Sequence, residues 1–373
     1  MIVLSKIAGG LKRVNHAAVA VDGHIYCFGG YLGTEDYSEE RPIDVHTLDM
    51  TTLKWEQLEY YDGGNPANVP FIRYGHSVVA HNNIIYLWGG RRGDVACNKI
   101  FMFDTNTRSW LANEVTGTIP GVRDGHAACI AGGFMYIFGG FEEARQEFSD
   151  TVFRFELETL TWTALPELTS NLLKKDYLTC VEINNRIYLF GGRSYSCPFY
   201  DSNTLELDLT MMTWSTPDVV GFKPLGRRSH TAVVVKNKMI IFGGYNDITD
   251  EHYDDIAVFD PKTYEWEPIT IRGGGPTARR RHCCVAVNSF LYIFGGSCPL
   301  PDATDADVHK LMELDDLYVI DTNESLRSMS LQVILDHQLS TRTLTTALAR
   351  EVQFYRSENE LSSQLDKLNV DDH

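Results

Sequence analysis

The sequence has little of what most catalytic or membrane functions need. Its eight cysteines form no CxxC pair and no Cys/His set at zinc spacing. Five of the eight, Cys27, Cys129, Cys180, Cys283 and Cys284, lie inside apolar runs and read as reduced, buried thiols. No apolar run is long enough to span a membrane, and the start, MIVLSKIAGGLKR, lacks the basic leader and apolar core of a secretion signal. The expected site of action is therefore cytosol, nucleus or both. Positive charge is also scarce: 33 Lys and Arg against 50 Asp and Glu leave a net charge of −17. Nucleic acid and anionic membranes both select a basic surface, so neither is an expected partner. GxGxxG, GxxxxGK[ST], a Ser/His/Asp order and paired carboxylates are all missing, so no catalytic residue, metal site or cofactor is expected.

What is present is a repeated phrase. Residues 279–296 read RRRHCCVAVNSFLYIFGG: arginines, a histidine, an apolar run, a polar break, a second apolar run and two glycines. The phrase recurs at 13–30, 73–90, 123–140 and 227–244, with a degraded copy at 175–192. Glycine pairs at 29–30, 89–90, 139–140, 191–192, 243–244 and 295–296 set a period near 50 residues, which means a repeat architecture. The first step is longer because of a Gly/Pro/Asn-rich insertion at 59–69. The pairs read as backbone room at a strand end.

A third run ending in an acid follows each pair, at 45–49, 100–104, 152–156, 205–208, 256–260 and 317–321. Six residues after that acid stands Trp55, Trp110, Trp162, Trp214 or Trp266, opening a fourth run. Four short β-branched and aromatic runs per copy predict a four-stranded antiparallel sheet. Six such sheets bury their faces only by packing radially, so the fold class is an all-β, six-bladed β-propeller. The sixth copy has Arg327 in place of its Trp, and the chain start aligns with the missing piece. Residues 2–8 are expected to supply the outer strand of blade 6 and so close the ring.

Beyond Asp321 the texture changes. Residues 325–339 and 343–355 lose the period of two, and Leu344, Leu348, Val352 and Tyr355 fall on one helical face. The expected division is a propeller over 1–321, a helical segment over 322–356 and a polar, loose tail over 357–373.

Candidate binding residues gather at one mouth of the central hole. Arg13, Arg73, Arg123, Arg227 and Arg279 each precede the repeat histidine by three residues, with Lys175 in the weak copy. They either line the mouth or pair with acids such as Asp36, Asp124 or Asp150 to hold blades together. The repeat histidines His16, His76, His126, His230 and His282 are expected to hydrogen-bond within their own blades. Arg91, Arg92 and Arg193 follow glycine pairs, and Tyr31, Phe141 and Tyr245 take the same slot elsewhere. Arg228, Arg280 and Arg281 add charge nearby. A cationic, aromatic-lined mouth suits a carboxylate, which Arg grips bidentately, and a peptide C-terminus is one such ligand.

The doubled glycine and the spaced Trp resemble the kelch repeat over residues 1–321. The order RVNH, RYGHS, RDGHA, GRRSH resembles kelch proteins that serve as substrate receptors of cullin-RING ubiquitin ligases. The segment after the propeller resembles an elongin-binding box, with Ser325, Leu326, Ser330 and Ile334 at its spacing and Ser330 where Cys is usual. Leu339 and Ser340 stand where a cullin-2 box has an aliphatic–proline pair. The resemblance implies elongin B/C and cullin-2 as partners and substrate protein C-termini, often ending in glycine, as ligands. It implies that Arg193 grips the terminal carboxylate, with Arg227 or Arg228 as a second arginine. Two alternatives stay open: a helix that merely caps the propeller, and a scaffold with no ligase link.

Overall fold

The computed structural model describes residues 2–34, 40–166, 171–196, 198–272, 274–300, 310–323, 326–341 and 344–355. The expected tail, Asp36 and Ser325 lie outside these residues.

Each apolar run becomes a strand, and each polar break becomes a tight hairpin. In blade 1, Ala17–Val21 and His24–Phe28 are joined by Asp22-Gly23, with φ of 44° and 80°. Both values are positive, as the hairpin turn that matches strand twist requires. The order from the axis outward is Ala17–Val21, His24–Phe28, Val45–Asp49, Lys54–Gln57. The same order repeats in five more sheets. The innermost strands of neighbouring blades pack side by side all round, and the circle closes between Ala17–Val21 and Cys283–Val287. The fold is a six-bladed propeller, as the repeat predicts.

The missing sixth outer strand comes from the chain start. Ile2–Ile7 pairs antiparallel with Leu317–Asp321, with an irregularity between Val3 and Ser5. Short linker strands add a flanking strand that the sequence did not announce. Thr116–Gly117 runs parallel to the outer strand of blade 3, and Val220–Gly221 to that of blade 5.

The core is divided among the seams. One buried cluster joins blades 6 and 1 through Ile7, Cys27, Leu48, Val285 and Phe294. Five more join the other neighbours in turn. The spaced tryptophans are the wedges. Trp55 packs on Phe294 of the preceding blade with ring centroids 4.9 Å apart. Trp110 meets Phe28, Trp162 meets Trp88, Trp214 meets Phe138 and Trp266 meets Phe190 in the same way. An outer-strand side chain thus fills the gap that opens as blades diverge from the axis.

Two helices follow, α1 (Leu326–Asp336) and α2 (Thr346–Tyr355). Leu331 and Val352 are buried between them, with Ile334, Leu344, Leu348 and Tyr355 around them. Both helices pack on Ile2–Ile7, and Ser5 Oγ donates to the carbonyl of Tyr355 at 2.9 Å. The closing strand is therefore held by blade 6 on one side and by the C-terminal segment on the other.

Ile7 is 2% exposed in the blade 6–blade 1 cluster. Ile7→Ala is expected to cost about 2–5 kcal/mol in urea unfolding, because it opens a cavity at the ring closure. An unchanged urea midpoint would contradict the closure described here.

Candidate functional site

The seams generate the site. At each one the glycine pair of a blade meets the Arg-x-x-His segment of the next. The N–H of Gly30 donates to the carbonyl of Arg73 at 2.8 Å. A Cβ on Gly29 would stand 2.6 Å from that carbonyl oxygen, and one on Gly30 would stand 2.7 Å from His16 Cβ. Both glycines have positive φ, 57° and 84°, so side chains are excluded by space and by conformation. The same bond joins Gly140 to Lys175, Gly192 to Arg227, Gly244 to Arg279 and Gly296 to Arg13.

The repeat arginine locks its own blade. Arg73 is 0% exposed and donates from a terminal nitrogen to Gly89 O at 2.9 Å. Arg123, Arg227 and Arg279 reach Gly139, Gly243 and Gly295 likewise. Their charges are met by Glu142, Asp255 and Asp316, and that of Arg13 by Asp44. Arg73, Arg123 and Arg227 are therefore corrected from mouth residues to buried clamps; a guanidinium with no exposed surface cannot meet a ligand. Of the two readings of the repeat arginines, pairing with acids is what the structure shows for Arg13, Arg123, Arg227 and Arg279, whereas Arg73 is held by the carbonyls of Phe71 and Gly89.

The histidines are corrected too: three of the five bond across seams. His126, His230 and His282 share hydrogen bonds with Ser77, Thr179 and Thr231 of the preceding blade, at 2.8, 2.8 and 3.0 Å. Each hydroxyl stands one residue past its blade's histidine position. Blades 6 and 1 carry Cys283 and Ala17 there, and His16 and His76 have no such partner. A hydroxyl recurring at that position was the signal in the sequence. Burial, then the nearby repeat arginine, pushes His16, His126 and His230 down to about 3. His76 and His282 fall well below the ordinary value for the same reasons.

Just before the histidines the six blades join in a closed collar of backbone hydrogen bonds. Gly75 N donates to Asn15 O, Gly125 to Gly75, Tyr177 to Gly125, Ser229 to Tyr177, Arg281 to Ser229 and Asn15 to Arg281, at 2.6–3.3 Å. All six residues have φ between 50° and 66°. Tyr177 and Arg281 bear this left-handed backbone with long side chains, a strain characteristic of functional sites. The Tyr177 ring crosses the hole: its hydroxyl donates to Asp124 Oδ2 at 3.4 Å and receives Asn15 Nδ2 from the opposite blade at 3.3 Å. A cavity of about 90 Å³ lies at this level, lined by Tyr177, Leu178, Ser229, Arg281 and four of the histidines.

Above the collar, residues preceding it pair with residues following the glycine pairs. Val14 faces Tyr31, Tyr74 faces Arg91, Asp124 faces Phe141, Asp176 faces Arg193, Arg228 faces Tyr245 and Arg280 faces Ser297. Tyr31, Arg91, Phe141, Arg193, Arg228 and Tyr245 thus share one mouth. Arg92 does not join them; it lies over Phe71 and pairs with Glu40. In the collar and these two layers, five arginines (91, 193, 228, 280, 281) face two aspartates (124, 176). Asp247 leans in from its loop to meet Arg193 at 3.5 Å and Arg228 at 3.1 Å. Asp124, expected only as a partner of the repeat arginines, binds Arg91 at 3.4 Å, and Asp176, absent from the expected set, binds Arg193 at 3.1 Å. Burial pushes Asp124 up to about 6 against the pull of Arg91, and raises Asp176 as well. Phe148 stacks on Tyr195 at 4.0 Å beside Arg193 and extends the aromatic wall.

In the C-terminal segment, Ser330 is exposed on α1, Ile334 is half-buried against α2, and Leu339 is exposed beyond the helix. The side chain of Leu326 lies outside what the structure describes.

Glycine-pair joints, a six-membered backbone collar and Trp wedges in five of the six blades define a kelch propeller with a polar binding mouth. A family model described as the KLHDC2/KLHL20/DRC7 Kelch-repeats domain matches residues 75–296, and a Kelch motif model matches 12–59. Kelch domain-containing protein 3 of Homo sapiens is 35% identical over 367 residues, covering 95% of this chain and 96% of that protein, and its Mus musculus counterpart gives the same figures. Acyl-CoA-binding domain-containing protein 4 of Arabidopsis thaliana is 26% identical over 76% of this chain and 43% of its own length. The chain belongs to the kelch-repeat family, with kelch domain-containing protein 3.

Two outcomes follow from the joints. The seam histidines stay neutral where an unfolded chain would take protons. Their contribution is complete above pH about 6.5 and drains as pH falls toward about 3, by about 1.4 kcal/mol per pH unit for each fully depressed histidine. Asp124, below pH about 6, and Asp176, which burial also raises, act in the opposite sense, but as two groups against five. Urea midpoints should therefore drop steadily from pH 7 to pH 5, and His126→Leu, which copies Leu178 of blade 4, should flatten the slope. A pH-independent midpoint would contradict the burial. Arg279→Met should cost about 3–5 kcal/mol by stranding Asp316, whereas Arg92→Gln should stay within about 1 kcal/mol.

Proposed function

We propose that this chain is the substrate-recognition subunit of a cullin-RING ubiquitin ligase. On this reading it is not itself catalytic. The propeller mouth holds the C-terminal carboxylate of a target protein, and the helical segment recruits elongin B/C and a cullin, with cullin-2 the expected choice. The mouth carries the reading: in a chain of net charge −17, five arginines gather against three aspartates (124, 176 and 247) around one concavity, above a tyrosine plug. Field lines focus in such a concavity and favour an entering anion. A chain end fits better than a side chain because Tyr177 blocks passage, so a ligand enters from one side and must terminate there. The aromatic rim of Tyr31, Phe141, Tyr195 and Tyr245 offers apolar surface for the preceding residues.

The adaptor half rests on the resemblance of residues 325–339 to an elongin-binding box. On α1, Ser330 and Val333 face solvent, the latter 49% exposed, so part of the helix is open to a partner. The place of action is cytosol, nucleus or both.

Affinity purification of the full chain from cells tests both halves. Leu326→Asp is expected to lose elongin and cullin while still retaining proteins captured by the mouth. Elongin retained by that variant, or absent from the wild type, would point to a scaffold with no ligase link.

A further inference from the structure

The mouth arginines are not equivalent. Arg91, Arg193 and Arg228 each hold an aspartate, and Arg193 holds two. Arg280 and Arg281, adjacent on blade 6, reach no carboxylate among the described residues. Arg281 donates to Tyr31 Oη at 2.7 Å, and the Arg280 guanidinium lies 4.1 Å over the Tyr245 ring. The Nε of both is buried without a hydrogen-bond acceptor. Burial, then the neighbouring Arg281, holds Arg280 below the usual guanidinium range, with Arg228 adding to the crowding. Like charges kept together in a partly desolvated concavity raise the free energy of the empty site and favour occupation by an anion.

We propose that the carboxylate of a captured chain end sits on Arg280 and Arg281, between Tyr31 and Tyr245, and not on Arg193. This seat rests on the receptor reading above and deepens it. Two adjacent guanidinium groups with free N–H donors match the two oxygens of a carboxylate. Tyr31 and Tyr245 flank the seat, and Tyr177 forms its floor: Arg281 lies 5.9 Å from the Tyr177 ring centre. At Arg193 the same carboxylate would meet Asp176 and Asp247 as like charges and would have to break two existing pairs. The position after the glycine pair, which the family resemblance assigns to the carboxylate, is thus already neutralised in this chain.

The test uses the immobilised full chain and a random-sequence peptide pool, once with free C-termini and once amidated. Wild type should enrich the free pool. Arg280→Gln and Arg281→Gln should each reduce that capture about tenfold to hundredfold, as loss of a charge-assisted hydrogen bond does, and Arg193→Gln should leave most of it. Loss through Arg193→Gln with retention in Arg280→Gln overturns the seat and spares the receptor reading. Equal loss in all three variants overturns the seat as an exclusive one. If wild type takes the amidated pool equally well, the receptor reading itself fails and the seat with it. Arg281 is a collar residue, so thermal midpoints accompany each variant. If Arg281→Gln melts, Arg280→Gln decides, because its side chain lies against Tyr245 and its backbone is not part of the collar.

Discussion

Everything in this molecule depends on how one blade is joined to the next. A glycine N–H reaches the carbonyl of the following blade's arginine, that arginine's guanidinium turns back to its own glycine pair, and the histidine three residues on fills the space a side chain on the glycine would need. No blade completes this joint alone. The apolar clusters lie in the same six seams, so burial and hydrogen bonding reinforce one another around the ring. Ile2–Ile7 gives blade 6 the outer strand that its own segment lacks and so ties the chain start to the last blade.

The mouth inherits its chemistry from that joint. Six chain segments must turn in the left-handed region to form the collar, which brings the residues before it and those after the glycine pairs to one rim. A one-residue change of position then decides an arginine's fate. Arg279 is sealed against Gly295 and Asp316, Arg280 lies on a tyrosine in the mouth, and Arg281 enters the collar itself. Three consecutive arginines carry out three separate tasks.

This is also why the sequence disclosed the fold more fully than the site. The glycine pairs occur in all six copies and the Trp spacing in five, so repetition amplifies their signal, and the unmatched first strand stands out as the piece the sixth copy lacks. Arg73, Arg123 and Arg227 report such a contact too, and their repetition was the mark of a structural role rather than of a binding surface. The acids that neutralise the rim recur in too few blades to mark a rule. Asp124 and Asp176 share a position that carries Val14, Tyr74, Arg228 and Arg280 elsewhere, and Asp247 comes from a loop of variable length, so none stands out before the blades are assembled. The histidine bonds were misplaced because their partners lie about 50 residues away in the preceding blade.

Tyr177 stands in the weakest copy of the repeat, beside Leu178 in the histidine position, and it blocks the hole that a more regular copy would leave open. Degeneracy of the repeat and the presence of a plug coincide, as expected where local rules yield to function. The most direct measurement is a structure of the chain with a captured protein end. The account predicts the terminal carboxylate in the mouth above Tyr177, within hydrogen-bonding distance of arginine side chains. A ligand bound along an outer blade edge, or one whose chain continues past the mouth without ending there, would contradict it.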